Sequence, residues 1–109
     1  MDNENRREYA KQAAEQFPMV KTAAPIAELT RLLDYQNIPF DLMEAGGWMG
    51  LKIPTAWKPK ISVVCFPGSY GFPENLELAE FKKNGNVKEP KGWLSPQEAL
   101  ELIKKGMDA

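Results

Sequence analysis

Histidine is absent from all 109 residues. That removes the commonest general base and the commonest metal ligand. Ser-His and Cys-His nucleophile pairs and histidine-bound zinc go with it. Any catalysis would fall to carboxylates, lysines or tyrosines. Cysteine is nearly absent too: Cys65 stands alone and can form no internal disulfide. No apolar run approaches the roughly 20 residues of a membrane span. Met1 to Arg7 is followed by no apolar stretch, so no secretory leader is expected. Together these point to a reducing cytoplasm. An excess of either charge is missing as well. Fifteen acids against 14 bases leave a net charge of -1. This excludes the strongly basic profile of a general nucleic-acid binder and the acidic profile of a DNA mimic.

What is present is an ordinary globular composition, 43% apolar and 27% charged, on a chain long enough for one core. Residues 4–17 carry a narrow helical stripe of Tyr9, Ala13 and Phe17, ended by Pro18. A second helix is expected over Pro25 to Gln36, with Ile26, Leu29 and Leu33 on one face, Asn37 as a left-handed stop and Pro39 blocking continuation. Phe40 and Leu42, then Met49, Leu51 and Ile53, alternate with other residues around Glu44-Ala45-Gly46-Gly47. That reads as a β-hairpin with a four-residue loop. Ile61 to Phe66 is almost wholly apolar and suits a central strand buried on both faces. Leu76 to Phe81 reads as a strand or a short helix, with strand preferred, and Val87 to Leu94 as irregular or an edge strand because of Pro90. Ser95 as N-cap, Pro96 at the first helical position and Glu98 as capping-box partner open a last helix, with Gly106 placed just past its end. The reading is α+β: an antiparallel or mixed sheet of three to five strands with helices mainly on one face. Its element order is helix, helix, three strands, a further strand, helix. Residues 1–22 form a helical extension able to move, and residues 23–109 a single domain.

The most informative stretch is ISVVCFPGSYGFPENLEL, Ile61 to Leu78. An apolar strand runs into Gly68-Ser69-Tyr70-Gly71, and shaped loops on rigid scaffolds concentrate function. With no histidine and no second cysteine the turn reads as a recognition surface more than a reaction centre, and with no phosphate-loop lysine it is no Walker-type site. Ser69, Tyr70 and Phe72, with Trp57 from a Pro-bounded connection, are the expected partner-binding residues. Their bland alternative is a turn folded back on the core and a tryptophan lid. A second surface is open. Between Ala45 and Pro73 there is no acid, and Lys52, Lys58 and Lys60 interleave with aromatics. Lysine for phosphates and rings for stacking is the chemistry of single-strand nucleic-acid binding, though three lysines are also an unremarkable solvated edge. Glu74, Glu77 and Glu80 would cluster only on a helix. Glu80-Phe81-Lys82 matches the E-x-K fragment of metal nucleases, which Asp41 or Glu44 could complete; in a chain so rich in charge the tripeptide arises readily by chance. Cys65, in an apolar strand, reads as inert packing. No cofactor or metal is expected.

The run SVVCFPGSYGFPENLEL, followed by Gly92-Trp93-Leu94-Ser95 and the closing helix, resembles small uncharacterised proteins of phages and mobile elements in gut Firmicutes. Ile38-Pro39-Phe40 before a hairpin resembles them too. The likeness spans about residues 26–105 and departs in Pro67, Pro73 and the N-terminal extension. It implies a mobile-element context, regulatory or directed against host defence, shared with inhibitors of host nucleases such as CRISPR effectors. With histidine and paired thiols absent, the expected function in that context is a non-catalytic protein-interaction module. An exposed edge strand would also let two copies of the chain pair.

Overall fold

The computed structural model describes residues 20–108. The first expected helix, residues 4–17, therefore lies outside the described residues. Helix α1 (Ala24–Tyr35) precedes five strands, β1 (Asp41–Ala45), β2 (Trp48–Ile53), β3 (Ile61–Val64), β4 (Leu76–Glu80) and β5 (Lys91–Leu94), and helix α2 (Pro96–Asp108) closes the domain. The sheet is an antiparallel meander in sequence order, with β1 and β5 at its edges. The α+β reading holds, with five strands.

Register explains where the core sits. Leu42 lies opposite Leu51, Leu51 opposite Val63, and Val63 opposite Leu78. Partners across a ladder share a face, so this row crosses four strands on one side. Ile53 and Ile61 extend it. Onto that face α1 delivers Ile26, Leu29 and Leu33, and α2 delivers Ala99, Leu100 and Ile103, all buried. Each leucine or isoleucine among them contributes about 1.5–3 kcal/mol on full burial. The opposite face carries Lys52, Ser62, Val64 and Ala79, all only half-buried. That overturns the expectation of a central strand buried on both sides. β3 is central, but its pattern alternates because both helices pack on one face.

Local chemistry sets the boundaries. α1 starts with Pro25 in its first turn and stops at Asn37, held at φ 57°. The hairpin loop is shorter than expected. Ala45 pairs directly with Trp48, leaving a two-residue turn in which Gly46 and Gly47 both take positive φ, as a type I′ turn requires. The capping box forms as read: Glu98 N donates to Ser95 Oγ at 3.1 Å, and Ser95 N donates to Glu98 Oε1 at 2.9 Å. Gly106 is not the residue past the helix end. α2 runs on to Asp108, and a Cβ at Gly106 would lie 2.8 Å from Ile61 Cδ1. The glycine serves the close approach of helix to sheet. Lys21 is tied in as well, through Lys21 N to Gly47 O and Met49 N to Lys21 O, both 2.8 Å. This part of the expected N-terminal extension belongs to the sheet.

Candidate functional site

The turn after β3 is built by its own hydrogen bonds. Ser69 Oγ accepts from Phe66 N at 3.0 Å and donates to Phe66 O at 2.8 Å. Asn75 N donates to Gly71 O at 2.8 Å. The serine hydroxyl is thus committed inside the turn. Phe72 is half-buried and meets the Trp48 ring edge-on, centroids 5.2 Å apart. Of the three turn residues expected to bind a partner, only Tyr70 presents most of its side chain, at 57% exposure.

What holds Tyr70 there is the edge strand. Leu76 pairs with Leu94 and Leu78 with Lys91, so Gly92 and Trp93 together oppose the single residue Glu77. This is a β-bulge, a device that re-aims side chains at sheet edges. Trp93 N donates to Tyr70 O at 3.1 Å, and Tyr70 N donates to Glu77 Oε1 at 3.2 Å. Backbones meet here without room for side chains. A Cβ on Gly92 would sit 2.2 Å from Tyr70 Cβ, and one on Gly71 would sit 3.1 Å from Trp93 N and Cα. Gly71 also takes φ 107°, open to glycine alone at ordinary cost. The product is a ledge of two neighbouring aromatic residues, Tyr70 and Trp93, the latter 69% exposed and held at φ 59°.

Gly92 and Trp93 are not among the residues that the sequence marks for partner binding. They read there as part of an irregular or edge strand and as the lead-in to the last helix. The available signal was a Gly-Trp pair placed after Pro90, which marks an edge, and before a committed N-cap, which fixes the chain direction.

Trp57 is elsewhere. It is 92% exposed in the β2–β3 connection, whereas Tyr70 follows the other end of β3. That strand has four residues, about 13 Å at roughly 3.3 Å per residue. The structure therefore separates Trp57 from the ledge. Asp41 Oδ2 braces the connection by accepting from Ala56 N at 2.6 Å, and Lys58 N donates to Thr55 Oγ1 at 3.2 Å.

The lysines divide as well. Lys52 Nζ donates to Ser62 Oγ at 2.7 Å and lies 5.7 Å from the centre of the Phe81 ring. Partial burial pushes its pKa down. Lys58 and Lys60 are exposed and line an open groove with Lys82, Lys83, Lys88 and Gly106. A second, more apolar cleft lies beside Trp48 and Phe72, bordered by Lys21 and Pro25.

The carboxylates do not assemble. Glu80 Oε2 pairs with Lys88 Nζ at 3.2 Å, and Glu44 Oε1 accepts from Gly47 N at 2.7 Å. Asp41 stands in β1, three strand spacings from β4, about 14 Å. Neither Glu44 nor Asp41 completes an E-x-K site with Glu80 and Lys82. No group of three potential metal ligands occurs among the described residues. Cys65 is buried, its Sγ 3.2 Å from Asn75 O, and burial pushes the thiol pKa up. No helix among the described residues is long and apolar enough to cross a membrane. No protein-family model, curated protein or solved structure matches this chain.

Proposed function

We propose that this chain is a non-catalytic protein-interaction module that takes its partner on the Tyr70–Trp93 ledge. The observation that carries the reading is Trp93. A bulky residue in the left-handed region costs about 1–2 kcal/mol, yet this one buries little of its ring, at 69% exposure. The fold gains little from a tryptophan there. Tyrosine and tryptophan anchors dominate binding energy at protein interfaces, and here the two exposed residues are joined backbone to backbone, on a braced turn and a bulged edge, before any contact. The resemblance to phage and mobile-element proteins supports a partner in a host defence nuclease complex, with the chain as its inhibitor.

The test is quantitative capture from the native host with the wild-type chain and single variants. Trp93→Ala and Tyr70→Ala are each expected to weaken retention of the same partner by at least about 1 kcal/mol, or roughly fivefold. Trp57→Ala, at the far end of β3, leaves it unchanged. Equal capture by the two ledge variants sinks the site, and steady turnover of a substrate by the purified chain sinks the non-catalytic reading.

A further inference from the structure

Three elements converge on the end of the sheet away from the ledge. The β2–β3 connection brings Lys58 and Lys60, the β4–β5 connection brings Lys82 and Lys83, and α2 brings its C-terminal turn at Gly106. Phe81 N donates to Lys60 O at 2.8 Å, which fixes the two connections against each other. Between them lies an open groove of about 930 Å³. Glu80, the acid lining it among the described residues, is already paired with Lys88. Four lysines then remain as net positive charge. The C-terminal end of α2 contributes roughly half a negative charge, too little to reverse the sign. A chain of net charge -1 has therefore concentrated cations at one pole.

Beside this groove stands Trp57, next to Lys58 in sequence and 92% exposed. Its connection is braced by the Asp41–Ala56 and Thr55–Lys58 hydrogen bonds, so the ring is presented from a fixed backbone. Cations for phosphates next to an open aromatic face form a stacking platform for unpaired bases. An acidic peptide would use the lysines, but its carboxylates supply no flat ring to stack on the open tryptophan face, whereas every unpaired base does. We infer that the Lys58–Lys60–Lys82–Lys83 groove, with Trp57 at its rim, is a binding site for single-stranded nucleic acid, separate from the protein-binding ledge.

Fluorescence anisotropy of a labelled 15-nucleotide oligothymidylate with the full chain tests this. Three or four phosphate contacts give a slope of log K against log salt of about -2 to -3, so binding weakens roughly 20- to 50-fold between 50 and 200 mM NaCl. Lys58→Glu combined with Lys82→Glu, both exposed positions, is expected to lose tenfold or more and to flatten that slope. Trp57→Ala loses about fivefold or more with the slope unchanged, because stacking releases no counterions. Trp93→Ala and Tyr70→Ala bind like wild type, which keeps this outcome independent of the ledge. Absence of binding at 25 mM NaCl, a flat salt dependence, or full affinity in Trp57→Ala overturns the proposal. Competition by polyglutamate as effective as that of unlabelled oligonucleotide reassigns the groove to an acidic protein segment.

Discussion

Trp93 sets a backbone preference against a side-chain use. Its φ of 59° suits glycine, and a Cβ-bearing residue there is disfavoured by about 1–2 kcal/mol. Two substitutions separate the effects. Trp93→Gly is expected to be more stable than Trp93→Ala by about 1 kcal/mol in urea unfolding, since only the backbone term differs in kind between them. Both variants are expected to weaken the proposed partner capture by roughly fivefold or more. Equal stability of the two would show that the bulge relaxes when the ring is removed. At this scale little was legible beforehand. Ser69 and Tyr70 are neighbours in a turn, yet one hydroxyl closes the turn and the other side chain faces out. Residue type cannot separate them, because the difference comes from where β5 runs.

Elements were easier to read, because their signals are local. The capping box of α2 needs only Ser95, Pro96 and Glu98 in order, and its two reciprocal bonds form as spelled. Ser95→Ala is expected to cost about 1 kcal/mol of stability, seen as a lower urea midpoint with unchanged slope. The hydrogen bonds from Ser95 hold the Glu98 carboxyl below its ordinary pKa. Its contribution is thus present above the ordinary value and fades as pH falls through the lowered one. Alternation likewise placed β2 correctly, and the preferred strand reading over Leu76 to Phe81 holds as β4. The hairpin loop was misjudged although its signal is local: Gly46-Gly47 suits a two-residue type I′ turn, and Ala45 pairs with Trp48 just beyond it. β3 was misjudged because its burial depends on partners distant in sequence: only the docking of both helices on one side decides that Ser62 and Val64 stay half-covered. The bulge at Gly92 and Trp93 was illegible on the same ground, since it exists only against Glu77.

For the molecule as a whole, Cys65 is a reporter of opening. Its thiol is buried at the end of the central strand and kept protonated by burial. Alkylation by iodoacetamide at pH 8 is expected to be slow, and to accelerate with urea in proportion to global unfolding. Fast modification without denaturant would mean that the turn after β3 opens by itself. The sign of the thiol's pH effect follows from its raised native pKa. The stabilisation is complete below the ordinary thiol value of 9.0 and is lost as pH rises through the native one. Lys52 acts in the opposite sense: its native pKa is lowered, so the cost of its partial burial eases as pH climbs toward 10.5. A last consequence comes from the short central strand, which sets the ledge at one of its ends and Trp57 with the lysines at the other. Two such footprints do not overlap, so neither occupant has to leave for the other to arrive. On the two proposals together the chain would act as a coupler: a protein held at the ledge would be brought within the chain's own length of a strand held at the groove, at an effective concentration neither would reach in free solution.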